Sequence, residues 1–85
     1  MNIVRLVLEV SRPIKSVDIL SMINRLSEVK SIKSILVKFD KISSESQSFI
    51  LILEGDNIDY NIVIKTLEEL NISVVNVIEI KALTS

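Results

Sequence analysis

The stretch LEGDNIDYNI, residues 53–62, contains the only glycine of the chain and sets three carboxylates, Glu54, Asp56 and Asp59, within six residues. Clustered carboxylates suit a hard cation such as Ca²⁺ or Mg²⁺, with further oxygens from backbone carbonyls or a neighbouring subunit. The spacing departs from a helix–loop–helix calcium loop, whose acidic positions alternate over about twelve residues. A phosphate cradle is disfavoured: one glycine, no lysine directly after it and three negative charges would repel an anion. The same residues also suit a helix start. Ile58, Asp59 and Val63 match the N′, N-cap and N4 positions, with Asp59 accepting from first-turn amides and Ile58 stapling onto Val63. Gly55 is expected to take the sharp bend with a positive φ, while Asp56 and Asn57 form the turn. The corner therefore reads as a helix cap first and a divalent-cation site on Glu54, Asp56 and Asp59 second.

Other chemistry is scarce. The chain has neither histidine nor cysteine. The usual neutral-pH acid/base, the thiol nucleophile and the ordinary zinc ligands are therefore missing. Glu68 and Glu69 are adjacent on a helix and point apart, as solvated surface. No catalytic set emerges, so no enzyme activity and no cofactor beyond a Ca or Mg ion is expected. Nucleic acid is not expected either: the aromatics are only Phe39, Phe49 and Tyr60, and the sequence pI is near 5.3. Single-stranded RNA readers need stacking aromatics on the first and third strands and a basic field. Phe39 and Phe49 are assigned instead to the core.

The elements that position these residues follow from periodicity. IVRLVLEV (3–10) is β-branched and reads as a strand; SRPIKS is a loop with Pro13 holding Arg12 out of helical dihedrals. Ser16 is the candidate N-cap of a helix with Asp18 in its first turn and an apolar stripe of Ile19, Met22, Ile23 and Leu26. SILVKFD (34–40) and FILILE (49–54) are strands flanking a KISSESQS hairpin loop. A second helix carries Val63, Ile64, Leu67 and Leu70, and SVVNVIEI (73–80) is the last strand. The order β-α-β-β-α-β predicts an α+β, ferredoxin-like fold: a four-stranded antiparallel sheet with both helices on one face. Residues 1–85 form one such domain, with 80–85 a short tail.

Composition adds an assembly problem. Hydrophobic residues make up 48% of the chain and its mean hydropathy is +0.48. A domain of this size buries only about 60–65% of its unfolded surface. Charged residues interrupt every apolar run before a membrane span of about 18–20 residues is reached. MNIVRLVLEV lacks the pattern of a secretory leader, and with no cysteine the chain is expected in the cytoplasm. If Val4, Leu6, Leu8, Leu51 and Leu53 face the helices, then Ile3, Val7, Leu36, Ile50 and Ile52 lie on the open side. Burying five such side chains at about 1.5–3 kcal/mol each would supply on the order of 10 kcal/mol to association. The expected partner is therefore the chain itself, joined by sheet faces or edges. Charge is also uneven: residues 1–42 carry eight Lys/Arg against four Asp/Glu, and residues 43–85 carry two against seven. That asymmetry could steer one copy's front half toward another's back half.

These residues together resemble a known family, the small archaeal proteins of domain-of-unknown-function family 211. The resemblance covers essentially the whole chain. It rests on IVRLVLEV leading to Arg12 and Pro13, on LSEVKSIKSILV, and above all on LEGDNIDYNIVIKTLEEL. It implies a ferredoxin-like fold, ring-like homo-oligomers and no known activity, consistent with a non-enzymatic module, ligand-sensing by analogy with regulatory domains of this fold. The chain departs from the family pattern in lacking histidine. That leaves Glu54, Asp56 and Asp59 as the small-ligand positions the resemblance carries across.

Overall fold

A computed structural model of the chain describes residues 1–14, 18–42 and 45–84. The elements run β1 (Asn2–Pro13), α1 (Ile19–Ser27), β2 (Ile32–Ile42), β3 (Ser46–Gly55), α2 (Tyr60–Glu69) and β4 (Ser73–Leu83). The sheet order is β2-β3-β1-β4 with every neighbouring pair antiparallel. This is the ferredoxin-like α+β arrangement that the order of elements predicts.

The core forms where one face of β1 and β3 meets the helices. Leu6, Leu8 and Val10 of β1 and Phe49, Leu51 and Leu53 of β3 are fully buried, in register with one another across the pair. Met22 and Leu26 of α1 and Val63 and Leu67 of α2 close over them. The expected stripe of α1 holds, with Ile19 and Ile23 packed at the margin; on α2, Val63, Leu67 and Leu70 join the core but Ile64 is half-buried outside it. Thr66 is buried because its hydroxyl donates to Ile62 O at 2.8 Å, satisfying itself within the helix.

The strands outrun their expected limits. β1 continues through Ser11, Arg12 and Pro13, which pair with Ser48, Gln47 and Ser46, so most of the expected hairpin loop is ladder. β4 continues through Leu83: Ile80, Ala82 and Leu83 pair with Leu6, Ile3 and Asn2, so the expected tail is strand. Backbone pairing with β1, rather than the polarity of KALTS, decides its conformation. Helix α1 begins with Asp18 as its N-cap, the carboxylate accepting from Ser21 N at 2.8 Å. Asp18 thus precedes the helix instead of lying in its first turn; the Ser16 cap expected from sequence lies outside the described residues.

The helices are short against the sheet. Nine or ten residues at about 1.5 Å each reach roughly 15 Å, whereas an eleven-residue strand runs on the order of 35 Å. The fully buried side chains of the sheet lie on its central strands β1 and β3, while the edge strands β2 and β4 keep exposed apolar residues. Phe39, assigned to the core from sequence, pairs with Phe49 on the helix side of the sheet but sits on edge strand β2 and remains 62% exposed. Its ring tilts against that of Phe49 with centroids 6.3 Å apart.

Candidate functional site

The acidic corner is built by three segments meeting at the end of β3. Gly55 pairs with Ile32 at the start of β2, and Asp56 N donates to Ser31 O at 3.0 Å. Gly55 does not have a positive φ, contrary to expectation; that conformation falls to Asn57 (φ 54). Glycine is required here for a different reason. An added Cβ would lie 1.9 Å from Ser31 O, inside the neighbouring backbone.

Each candidate carboxylate is engaged elsewhere. Glu54 points to the open face of the sheet and accepts from Arg5 Nη1 at 3.1 Å. The same guanidinium donates from Nε to Glu79 Oε1 at 2.6 Å, so Arg5 ties β3, β1 and β4 together. Those hydrogen bonds, Glu79 first and Glu54 second, hold the Arg5 pKa above its usual value. Asp56 Oδ1 accepts from Asn2 Nδ2 at 2.7 Å, and the Asn2 side-chain oxygen accepts from the Asn57 amide. Asp59 caps α2, its Oδ1 accepting from Ile62 N at 3.2 Å, and the preceding Ile58 is buried in the core with Val63, as the staple requires. Among the described residues, no three His, Cys, Asp or Glu side chains gather into a group able to hold a metal. The structure thus places the three residues side by side in sequence but sends their carboxylates in three directions. Sequence reasoning missed Asn2 and Arg5, which decide this. The signal for Arg5 was its position opposite Glu54 once strands are registered; Asn2 gave none.

A shallow cleft of about 490 Å³ opens between the end of α1 and the start of α2, lined by Arg25, Glu28, Lys30, Asn57, Asp59 and Thr66 among others. Arg25 is bonded to Glu69 at 2.8 Å and to Glu28 at 3.5 Å, so the guanidinium in the cleft is already matched by two carboxylates.

The open face differs from expectation. Val7 and Ile52, assigned to an intermolecular interface, are only 6% and 7% exposed within the single chain. They lie opposite one another, with the Arg5–Glu54 pair one step along the ladder and Glu9–Ile50 one step the other way. Long flanking side chains can cover apolar neighbours with their stems. Ile50 is half-buried, and Ile3 packs against the core because the β1–β4 register slips between Ile3 and Arg5 and breaks the alternation. Val4, expected over the helices, is half-buried and outside the core cluster. Of the five proposed contacts only Leu36 is well exposed.

The exposed grease lies instead along β4. Val75, Val77, Ile78, Ile80 and Leu83 are each about half exposed, on a strand with a neighbour on one side only. Val77 and Ile80 pair with the buried Leu8 and Leu6, so they lie on the helix side, beyond the cover of α2. Val75 and Ile78 fall at register shifts, where β4 has one residue more than β1. The surface apolar strip is thus at the sheet's edge, not on its face. Periodicity could not have found it, because it depends on how far the helices reach.

Fold and corner define a ferredoxin-like α+β domain whose acidic turn is closed by its own side chains. The chain belongs to domain-of-unknown-function family 211, described as Uncharacterized ArCR, whose sequence profile matches residues 4–83. No curated protein matches the sequence. Among the described residues, no helix is long and apolar enough to cross a membrane.

Proposed function

We propose that this chain is a non-enzymatic cytoplasmic module that works as a homo-oligomer, with β4 as its association edge and ligand sensing as its role. The observation that carries the reading is the row of half-exposed Val75, Val77, Ile78, Ile80 and Leu83 on an edge strand. A long apolar edge offers both unpaired backbone groups and hydrophobic area to another strand, and proteins that stay monomeric usually blunt such edges with charge. β4 has only Glu79 and Lys81 for that purpose, and Glu79 is held by Arg5. The absence of histidine and cysteine supports a role without catalysis, and a cysteine-free chain is at home in a reducing compartment.

Light scattering coupled to size exclusion tests the proposal at micromolar protein. A particle well above the 9.6 kDa single chain is expected. A stable single-chain particle at every concentration overturns it. The Ca²⁺ or Mg²⁺ reading of Glu54, Asp56 and Asp59 requires those carboxylates to leave Arg5, Asn2 and the α2 amide, or a neighbouring copy to complete the shell.

A further inference from the structure

We propose that the cleft between the end of α1 and the start of α2 binds a free α-amino acid with an aliphatic side chain. The inference rests on the ligand-sensing role proposed above, names the class of ligand, and does not depend on how copies associate.

Charge decides the class. Arg25, Glu28, Lys30 and Asp59 line the cleft, two cations against two anions, so its charged lining sums to zero. Arg25 is spent on Glu69 and Glu28. Lys30 has no ion pair and no side-chain hydrogen bond among the described residues. Asp59 uses Oδ1 for the Ile62 amide, and its Oδ2 accepts from no donor among the described residues. One uncommitted ammonium and one uncommitted carboxylate oxygen therefore line the same small space without pairing with each other. A simple anion or a simple cation would satisfy one of them and stand beside a like charge on the other. A zwitterion satisfies both, its carboxylate taken by Lys30 and its ammonium by Asp59.

The rest of the lining suits the rest of such a molecule. Ile62 is 47% exposed and Val29 is half-buried at the margin of the core, so the cleft holds apolar surface that an aliphatic side chain would cover. Ser31 Oγ and the Asn57 side-chain amide also line it and have no partner among the described residues, which leaves donors for the second carboxylate oxygen. The two lips need not be gathered on binding. Asp56 N donates to Ser31 O, Gly55 packs against that same carbonyl, and Asn2 bonds to the Asn57 amide, whose residue is in the left-handed conformation. Walls that are fixed beforehand reduce the ordering cost of binding. At about 490 Å³ the cleft falls among small-molecule sites, which span roughly 300–1,000 Å³.

Calorimetric titration of the wild-type chain with free leucine, isoleucine and valine at millimolar concentration tests this. Saturable binding is expected. Isocaproate, which lacks the ammonium, and isoamylamine, which lacks the carboxylate, should each bind more weakly than leucine by about tenfold or more. Lys30→Met and Asp59→Asn should each weaken leucine binding by a similar factor. Lys30 is exposed and unpaired, and asparagine caps a helix about as well as aspartate, so both variants are expected to melt as the wild type does. Should Asp59→Asn melt early, Asp59→Ser replaces it. Leucine binding that ignores either substitution overturns the site, and a single-charge analogue that binds as tightly as leucine overturns the zwitterion. Neither saturable heat nor a rise in melting temperature with any of the three amino acids overturns the inference and leaves the assembly reading untouched. A wild-type chain that scatters as a single copy yet binds leucine removes the assembly reading and keeps this one.

Discussion

The α-carbon of Gly55 faces the carbonyl of Ser31 so closely that a Cβ built on it would lie 1.9 Å from the oxygen. The end of β3 and the α1–β2 loop therefore meet backbone to backbone, and Asp56 N seals the contact by donating to Ser31 O. Gly55→Ala forces one of these segments away. A rigid main-chain neighbour cannot yield as a side chain does, so the loss of stability is expected at about 1–3 kcal/mol or more. Chemical denaturation checks this. A neutral Gly55→Ala would show that the two segments separate freely.

Asn2 clamps the same corner from the other side, donating to Asp56 Oδ1 at 2.7 Å and accepting from the Asn57 amide. Asn2→Ala removes both bonds in a solvent-exposed setting. The expected cost is about 1 kcal/mol, and the readout is local: the Asn57 amide should exchange with deuterium faster than in the wild type. Amides of Leu6 and Leu8, deep in β1, should not change relative to global stability.

Acid should act on the start of α1. The Asp18 carboxyl is held below its ordinary pKa chiefly by the hydrogen bond from the Ser21 amide. A group whose folded pKa is depressed contributes stability that is present above its unfolded pKa and is lost as pH falls through the folded value. Stability from this cap should therefore be intact at pH 6 and decline below about pH 4. Asp18→Ala should lower stability at pH 6 and flatten that part of the profile, which urea melts across the pH range would reveal. An unchanged acid limb in the variant would remove Asp18 from the account.

Much of the fold could be read from residue pattern because its determinants are local. The alternation in β1 and β3, the stripe through Met22 and Leu26, and the Asp59 cap with its Ile58 staple depend on neighbours within a few residues. Asn71, suited by residue type to the left-handed helix C-cap conformation, does adopt it with φ 60. What pattern could not give was set by distant partners. Gly55 answers to Ser31 across the fold, not to a turn of its own. Leu83 is strand because Asn2 lies opposite it. Phe39 alternates like a core residue but is carried past the helices by β2. The candidate site was legible as a cluster of acids; its partners, Arg5 and Asn2, arrive from fifty residues away.

Divalent cations should leave the chain's melting temperature unchanged. Glu54, Asp56 and Asp59 already accept from Arg5, Asn2 and the α2 amide, and these bonds direct them apart. Assembling them round an ion would break a cap and two side-chain bonds before any coordination is gained. Calorimetry with Ca²⁺ and Mg²⁺ at millimolar concentration is expected to show no saturable heat. A saturable signal abolished by Asp56→Asn would establish the cation site instead.

Val7 and Ile78 separate folding from assembly. Val7 is 6% exposed on the open face, in register with the equally buried Ile52, so its methyl groups are already out of water in the single chain. Val7→Ala should cost about 1–2 kcal/mol through lost burial and a small cavity, and leave the mass of the assembly unaltered where the protein is still folded. Ile78 is half exposed at a register shift of β4. Truncating it removes little from the single-chain core, so Ile78→Ser should leave the unfolding of a dilute, dissociated chain within about 0.5 kcal/mol of wild type. Its effect should fall on the concentration at which the assembly dissociates, which rises if Ile78 is covered by another copy. Dilution series followed by light scattering would separate the two variants. If Val7→Ala weakens assembly and Ile78→Ser does not, the interface lies on the open face of the sheet and not along its β4 edge.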